Sequence, residues 1–543
     1  MYKYPLLLTS FLSFLYVSIA YFFGTYIESY EIVYNSAVKG EFFDPITQDF
    51  FTSSPQLILL GLYAKLTALF PKISTFGLAL SIVNFFTLLV LGLQLFAFIS
   101  RKKVPAVLIL GLVIVIYFDN VLHLSSTRIA FWGAVNFYLF SKMHSRIAWS
   151  IIPLLILAVV YALFRFEILI LLSSLLLIFE ALVKRRLVKV LFIPLLVSLG
   201  IMILFNSFLI DYGTEANRVF YYHENQMFMN PETQILSYFE LRNLDLNSVN
   251  PEVLEQSLRF SSLFEFGMLD VSTMNWDYIH SLSGKKPSWF TYFFGAFNMQ
   301  SFMMIMEEAA MSYLKIIYLP IVLICLTGLI VWKNKSLLTV AFHLFIIAFP
   351  IVLNFHIETP VRFLSPYYIL VFIYFLVRYS HYFRLNKSIY YIAFLVLLLV
   401  AMYNTNLERL RFSAEQDRHD LFYGEIDDLL ESEDLVIIEQ DYNMTMLSRL
   451  PFPNEDHGNI SFLNEFFVYK SYYTWWENHC ECNPFSLQEK ISFIQKNEVP
   501  LVLNPIRLEF LENYYNHYLN IPIKYDVLLN LSNDLILIKI RNE

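Results

Sequence analysis

Apolar runs about as long as a bilayer core is thick recur along the chain, and short polar segments separate them. They predict membrane-spanning helices near 5–23, 78–99, 104–118, 129–142, 148–164, 168–183, 188–210, 314–332, 337–354, 366–380 and 388–403. Segment 55–71 is apolar but short and contains Lys65, which favours an amphipathic helix at the interface. No small-residue cleavage signal follows the first run, so we interpret it as a retained helix.

Two long segments interrupt this pattern. Residues 211–312 are polar and aromatic, with turn signals at Asn230-Pro231, Asn250-Pro251 and Ser283-Gly284. A connection of this length is expected to fold in part. The tail from residue 404 has strand patterns at DLVIIEQ, VPLVLN and DLILIKI and a helical pattern at SLQEKISFIQKNE. Because these patterns alternate, the sequence predicts a small α/β domain over 404–543.

The basic residues predict the orientation of the spans. Clusters at 101–103, 142–146, 184–186, 333–335 and 378–387 fall on alternate connections, on the same side as the N-terminus. The positive-inside rule makes that side cytoplasmic. We therefore predict a polytopic α-helical membrane protein of about eleven transmembrane helices. Its membrane domain covers 1–403, and the loops 24–77 and 211–312 and the α/β domain 404–543 are extracytoplasmic.

Composition agrees with this class. Hydrophobic residues make up 57% of the chain and charged residues only 15%, too few to cover a soluble protein of 543 residues. The net charge of −8 without a basic patch argues against a nucleic-acid partner. Cys325 lies in an apolar run and is expected to pack there, and the pair Cys480 and Cys482 is a poor zinc site without a second pair.

Charged side chains near span ends are predicted to gather on the extracytoplasmic side. The loop after the first span carries the acids Glu28, Asp44 and Asp49, and later connections carry Arg128, Arg165, Glu167 and Arg362. Arginine binds phosphate oxygens in a bidentate manner, and a nearby acid can deprotonate a hydroxyl or an amide. The plainer interpretation is a solvated acidic loop with arginines that anchor span ends at the interface.

The order of these features resembles the membrane-embedded C-superfamily (GT-C fold) glycosyltransferases. Many of them have an acid after the first span, followed by aromatic, alanine, glycine and phenylalanine positions; the equivalents here are Glu28, Tyr30, Tyr34, Ala37, Gly40 and Phe42. Three further features of the family follow. The first is an apolar helix that begins with a proline, here Pro55. The second is an Arg-Pro-Glu turn, here Arg165-Phe166-Glu167 with Phe in place of Pro, and the third is an Arg-aromatic-x-x-Pro motif, here Arg362 to Pro366.

The resemblance implies transfer of a sugar from a polyprenyl-phosphate-linked donor to an extracytoplasmic lipid, glycan or protein acceptor, in a bacterial inner membrane. Glu28 would be the catalytic base, with Asp44 or Asp49 as alternatives because the family more often has an Asp, frequently paired. Arg165, Glu167, Arg362, Tyr30 and Arg128 would bind the lipid phosphate. No Asp-x-Asp motif is present, so no obligatory metal or other cofactor is expected, although some relatives use a divalent ion.

Two other function classes remain open at this point. A lipid or polysaccharide transporter or flippase would place polar residues along a path inside the spans. Mid-span polar residues such as Asn84, Thr87 and Ser173-Ser174 are interpreted instead as local helix hydrogen bonds. A non-enzymatic membrane assembly scaffold would account for the large outer segments but not for the acidic loop and the ordered arginines.

Overall fold

In the computed structural model of this chain, the described residues fall into a helical bundle and a C-terminal α/β domain. They are 75–102, 106–120, 123–143, 151–184, 189–210, 238–262, 361–379, 435–438, 460–462, 486–531 and 535–541, single positions within 7–18, 63–73 and 391–425, and residues 25, 26, 236 and 349.

The bundle helices lie where apolar runs predicted helices. They are α1 (Thr75–Lys102), α2 (Ala106–Asn120), α3 (Ser126–Met143), α4 (Ile151–Lys184), and α5 (Phe192–Ile210) after a 3₁₀ turn at Lys189–Leu191. Two short helices, α6 (Tyr238–Leu241) and α7 (Pro251–Phe260), follow in the predicted outer insertion, and α8 (Val361–Tyr379) returns to the bundle. Among the described residues, Thr75–Ala97 and Ile151–Ala181 are long and apolar enough to cross a membrane. The count of about eleven spans stays a prediction.

Helices α3 and α8 form the centre of the bundle. All residues of α3 up to Leu139, and Ser125 just before it, are buried, and so are residues 366–374 of α8. A helix that is buried on every face must be surrounded by neighbours. Helix α3 packs against α1, α4 and α8, so it is the element around which the described part of the bundle is assembled.

Helix α4 reverses direction at Arg165, whose backbone is extended (φ −162°, ψ 86°). Before it, Tyr161 lies against Gly133 of α3; after it, Glu180 pairs with Lys142 of α3. If α4 were straight, Tyr161 and Glu180 would lie about 28 Å apart along its axis. Their partners Gly133 and Lys142 are only about 14 Å apart along α3. The two halves therefore run in opposite senses along α3. The sequence predicted separate spans at 148–164 and 168–183, and the kink at Arg165 divides the helix between those two ranges.

Small residues allow close helix contacts in the bundle. A Cβ atom at Gly92 would overlap Cγ2 of Thr9, and one at Gly133 would lie 2.5 Å from Cδ2 of Tyr161. Such contacts between a glycine and a neighbouring helix are typical of membrane helix packing. They fix the first apolar run against α1 and the first half of α4 against α3.

We expect Gly133→Ala to destabilise the fold. The added methyl group would meet Tyr161 ring atoms at 2.5–2.9 Å, including Cγ next to the backbone, so the whole helix must shift. Overpacking of this kind costs about 1–3 kcal/mol. Gly200→Ala is the matched control, because nothing lies within 4 Å of its added Cβ, and better helix propensity there is worth up to about 1 kcal/mol. Thermal unfolding in detergent should separate the two variants; equal melting temperatures would contradict the packing described.

The end of the predicted interfacial segment 55–71 is joined to the start of α1. The described residues there are helical, and the Tyr63 ring packs edge-on against Phe76 with centroids 6.0 Å apart. The Thr75 hydroxyl donates to the Tyr63 carbonyl oxygen at 2.7 Å, and the Thr67 and Thr75 hydroxyl oxygens are 2.5 Å apart. Lys65, Leu69 and Phe70 are exposed, as expected of an amphipathic helix.

The C-terminal domain contains a mixed five-stranded sheet. Its strands are β3 (Val436–Ile438), β4 (Ile460–Phe462), β5 (Leu501–Leu503), β6 (Tyr525–Leu531) and β7 (Leu535–Ile540), in the order β4-β3-β5-β7-β6. Strand β3 is parallel to β4 and β5, whereas β7 is antiparallel to β5 and β6. The strands at the three predicted patterns are present; β4 and β6 were missed.

Two helices with strong N-terminal caps connect these strands. Helix α9 (Leu487–Lys496) is capped by Ser486, whose hydroxyl accepts from the Glu489 amide. Helix α10 (Pro505–Asn513) has Asn504 as its cap and proline at its first position, and continues as a π-helical turn at Tyr514–Leu519. Burial lowers the pKa of Arg507 in α10 to about 10.

The outer insertion packs against the C-terminal domain. The Tyr238 ring lies edge-on to Phe510 at 5.3 Å, and Asn513 Nδ2 donates to the Tyr238 hydroxyl at 3.1 Å. Burial is the main reason that the pKa of Tyr238 is raised. An exposed ion pair joins Arg242 to Glu509 at 2.8 Å. Residues 238–262, predicted as part of the first domain, therefore share a hydrophobic core with the domain predicted to begin at 404.

The start of helix α7 differs from the interpretation of the sequence. Asn250-Pro251 was interpreted as a turn signal, but the pair begins helix α7: the Asn250 side chain caps it and Pro251 is its first residue. Arg259, in the last turn of α7, then stacks over the Tyr518 ring at 4.9 Å. An Asn-Pro pair is equally typical of a helix start, and the amphipathic sequence after it would have favoured that interpretation.

Candidate functional site

One end of the bundle brings together several predicted site segments. Two short strands, β1 (Thr25–Tyr26) and β2 (His123–Leu124), pair in parallel with Thr25 opposite His123 and Tyr26 opposite Leu124. Strand β2 leads directly into α3. Glu28 follows Tyr26 by two residues in the sequence. The start of the acidic loop is thus held beside the N-terminus of α3.

The N-terminus of α3 is polar and buried. Ser125, Ser126, Thr127 and Arg128 are each at most 4% exposed. The sequence placed Arg128 in a loop before a span at 129, but α3 begins at Ser126 and Arg128 lies in its first turn. The positive end of a helix dipole and a buried guanidinium both favour a negatively charged group nearby.

The reversal in α4 places Arg165 at the same height as Arg128. Tyr161 lies against Gly133, and the four residues from Tyr161 to Arg165 advance about 6 Å towards the start of α3. This advance brings Arg165 to the level of residue 129 of α3. Phe164 and Phe166 are buried on either side of Arg165, which is 26% exposed, and Glu167 is 45% exposed. Arg165 Nε and Glu167 Oε2 are 3.8 Å apart.

Arg362 lies in the first turn of α8. Tyr374 of α8 packs on Tyr138 of α3 and on Phe179 of α4, with ring centroids 6.1 and 5.8 Å away. Pro366, two turns before Tyr374, is buried as well. Pro366 lies inside α8, whereas the sequence predicted it at the start of the span.

The remaining predicted site residues lie outside the described part of the chain. They are the acids Glu28, Asp44 and Asp49 and the aromatic Tyr30. No group of three or more His, Cys, Asp or Glu side chains within the described ranges could hold a metal ion. The contacts thus bring Arg128, Arg165 and Glu167 to one end of α3, together with strand β1, which precedes Glu28 in the sequence.

Sequence reasoning missed a buried ion pair at the opposite end of α3. Lys142 Nζ is 2.6 Å from Glu180 Oε2, and the two side chains are 11% and 1% exposed. The Tyr138 hydroxyl donates to Glu180 Oε1 at 3.2 Å, and Lys142 Nζ lies 5.1 Å from the Tyr138 ring centroid. Lys142 was assigned to a cytoplasmic basic cluster. An acid within the apolar run of α4 was the available signal, because intramembrane charges are rarely left unpaired.

Comparisons with models of known protein families, with curated proteins and with solved structures found no match to this chain. The family resemblance therefore rests on the sequence motifs quoted above and stays a prediction.

Proposed function

We propose that this chain is a membrane glycosyltransferase that moves a sugar from a polyprenyl-phosphate-linked donor to an extracytoplasmic lipid, glycan or protein acceptor. The observation that carries the proposal is the arrangement at one end of the bundle. Arg128 and Arg165 lie at the same height there, Arg362 lies in the first turn of α8, and the β1–β2 pair holds the start of the acidic loop beside α3.

Exposed apolar stripes support a membrane setting. Ile152, Ile156 and Val159 of α4 and Ile82 and Phe86 of α1 are 41–67% exposed, at spacings that keep each set on one helix face. Contiguous apolar surface of this kind is unfavourable in water but suits contact with lipid. The outer insertion and the C-terminal domain, which the charge pattern assigns to one side, also contact each other.

The proposed reaction is a direct displacement at the anomeric carbon. The acceptor oxygen or nitrogen forms a bond to that carbon, the bond from the carbon to the phosphate oxygen breaks, and the lipid phosphate leaves with the electron pair. Glu28 takes the acceptor proton. The leaving phosphate needs charge stabilisation rather than a proton, and guanidinium groups supply it by paired hydrogen bonds. No step requires a metal ion.

A lipid or polysaccharide transporter is the second candidate. One observation favours it: Asn84, Asn136 and Tyr161 are buried in the middle of their helices, where a transporter would place polar groups along a path. This function would not require a carboxylate beside the three arginines. Movement of a labelled lipid across vesicles without transfer of its sugar would support the transporter.

We expect Arg165→Gln to reduce sugar transfer by about 10²–10³-fold, the loss typical when one charge-stabilising donor is removed. Transfer from polyprenyl-phosphate sugars by purified protein in lipid vesicles is the measurement. Arg242→Gln is the matched control, because Arg242 also pairs with a glutamate but lies in the outer insertion. Equal activity of the two variants would argue against phosphate binding at Arg165. Absence of transfer by the unaltered protein with every donor tested would overturn the proposed function.

A further inference from the structure

A second polar cluster lies deeper in the bundle, where α1, α3 and α4 meet. Thr87 of α1, Asn136 of α3 and Tyr161 of α4 are 0%, 4% and 1% exposed. Because Gly133 has no side chain, the Tyr161 ring lies directly on α3, and its hydroxyl reaches the neighbourhood of Thr87 and Asn136. Asn84, which is 4% exposed, precedes Thr87 by one turn on the same face of α1.

The hydrogen bonds of this cluster are incomplete. Asn136 Nδ2 donates to the Thr87 carbonyl oxygen at 3.0 Å, and the Thr87 hydroxyl donates to the Val83 carbonyl oxygen at 2.7 Å. The first bond fixes the orientation of the Asn136 amide. Within the described chain, Asn84 Oδ1 and Asn136 Oδ1 accept no hydrogen bond of full bonding geometry. The Tyr161 hydroxyl makes none either, but it lies close enough to Thr87 and Asn136 to interact with both side chains. A buried acceptor left in this state destabilises the fold, because it has lost its hydrogen bonds to water and gained none in return.

The missing group must donate hydrogen bonds and be uncharged. Both unpartnered amide atoms are carbonyl oxygens, which only accept. A cation here would have no counter-charge among the described residues, because Glu180 is already paired with Lys142. Arg128 lies eight residues away along α3, about 12 Å. Water and the hydroxyl of a sugar both satisfy these conditions.

We propose that Asn84, Asn136 and Tyr161 form a buried binding site for an uncharged hydroxyl donor, either an internal water or a hydroxyl of the transferred sugar. Only the sugar alternative rests on the proposed function. In that alternative the phosphate lies at the level of Arg128 and the sugar extends into the bundle towards Asn136. In the water alternative the site completes the packing of three helices whether or not the chain is an enzyme.

The test is the sign of a stability change in the full-length protein in detergent. Asn84→Leu removes an acceptor: if the site is empty, the variant gains stability, and if a hydroxyl donor is bound, the apparent melting temperature falls by a few degrees. We expect the fall, and a smaller one for Tyr161→Phe, which removes only the hydroxyl. Ser198→Ala is the control, because Ser198 is fully buried on α5, away from the cluster. Unchanged or raised melting temperatures, or an equal fall in Ser198→Ala, would overturn the site.

Two further measurements separate the ligand sources. If the sugar binds, a polyprenyl-phosphate sugar raises the melting temperature more than polyprenyl phosphate alone, and Asn84→Leu loses that difference. If water binds, the two lipids act alike, and hydroxyl-radical footprinting oxidises the buried Tyr161 in the unaltered protein but much less in Asn84→Leu. Failure of both signatures overturns the binding site. Absence of transferase activity, with the footprint intact, overturns only the proposed function.

Discussion

Replacing Glu28 with glutamine is expected to lower sugar transfer by about 10²–10⁴-fold, the contribution typical of a positioned general base. Glutamine keeps the size of the side chain but cannot accept the proton of the attacking group. The residue follows strand β1 by two positions in the sequence, and β1 pairs with β2, which leads into α3 and Arg128. The rate should be measured at saturating donor, so that weakened binding is not mistaken for slower chemistry.

Glu31→Gln is the matched control, because it removes a carboxylate from the same loop three residues later. Its activity should stay close to that of the unaltered protein. Asp44→Asn and Asp49→Asn test the alternative bases in the same assay. If transfer survives the loss of each of the three carboxylates in turn, none of them is the base.

Lys142→Met is expected to destabilise the protein by about 3–5 kcal/mol, the usual effect of removing one partner from a buried ion pair. Glu180 is 1% exposed, and it would keep a carboxylate in the bundle with only the Tyr138 hydroxyl to solvate it. The pair lies between α3 and the second half of α4, so the loss should appear as a lower unfolding temperature in detergent.

A double variant distinguishes loss of pairing from loss of packing. Lys142→Met combined with Glu180→Leu removes both charges and fills similar volume, so most of the stability should return. Both proteins should be measured together with Arg242→Gln, whose exposed pair with Glu509 is expected to contribute less than about 1 kcal/mol. A double variant as unstable as Lys142→Met would show that the ion pair itself is not the source.

Much of the bundle could be predicted from hydrophobic length alone. The apolar runs located α1 to α5 and α8 within a few residues, and the Arg165-Phe166-Glu167 interruption located the reversal in α4. Apolar length shows where a helix lies, but it says little about which helices touch. For this reason the Lys142–Glu180 pair and the Asn136 contact with Thr87, which each join two helices, were missed.

The assignment of the candidate site stays a prediction. Charge alternation assigned Arg128, Arg165 and Arg362 to one side, and the Tyr161 contact with Gly133 brings Arg165 to the level of Arg128. Strand β6 was missed because Val527, Leu528 and Leu529 are consecutive exposed apolar residues, without the alternation that marks a half-buried strand. The pairing of β1 with β2 involves two residues in each strand, too short for any periodicity.

The burial of α3 from Ser126 to Leu139 has a consequence for biogenesis. A translocon passes a segment into lipid according to its own hydrophobicity, yet α3 carries Arg128, Asn136 and Lys142 along its length. Such a segment would enter the bilayer only alongside neighbours that cover those groups. In the proposed membrane setting, a nascent chain truncated before α4 would therefore leave α3 poorly integrated, and its stable insertion would await synthesis of the hairpin that follows.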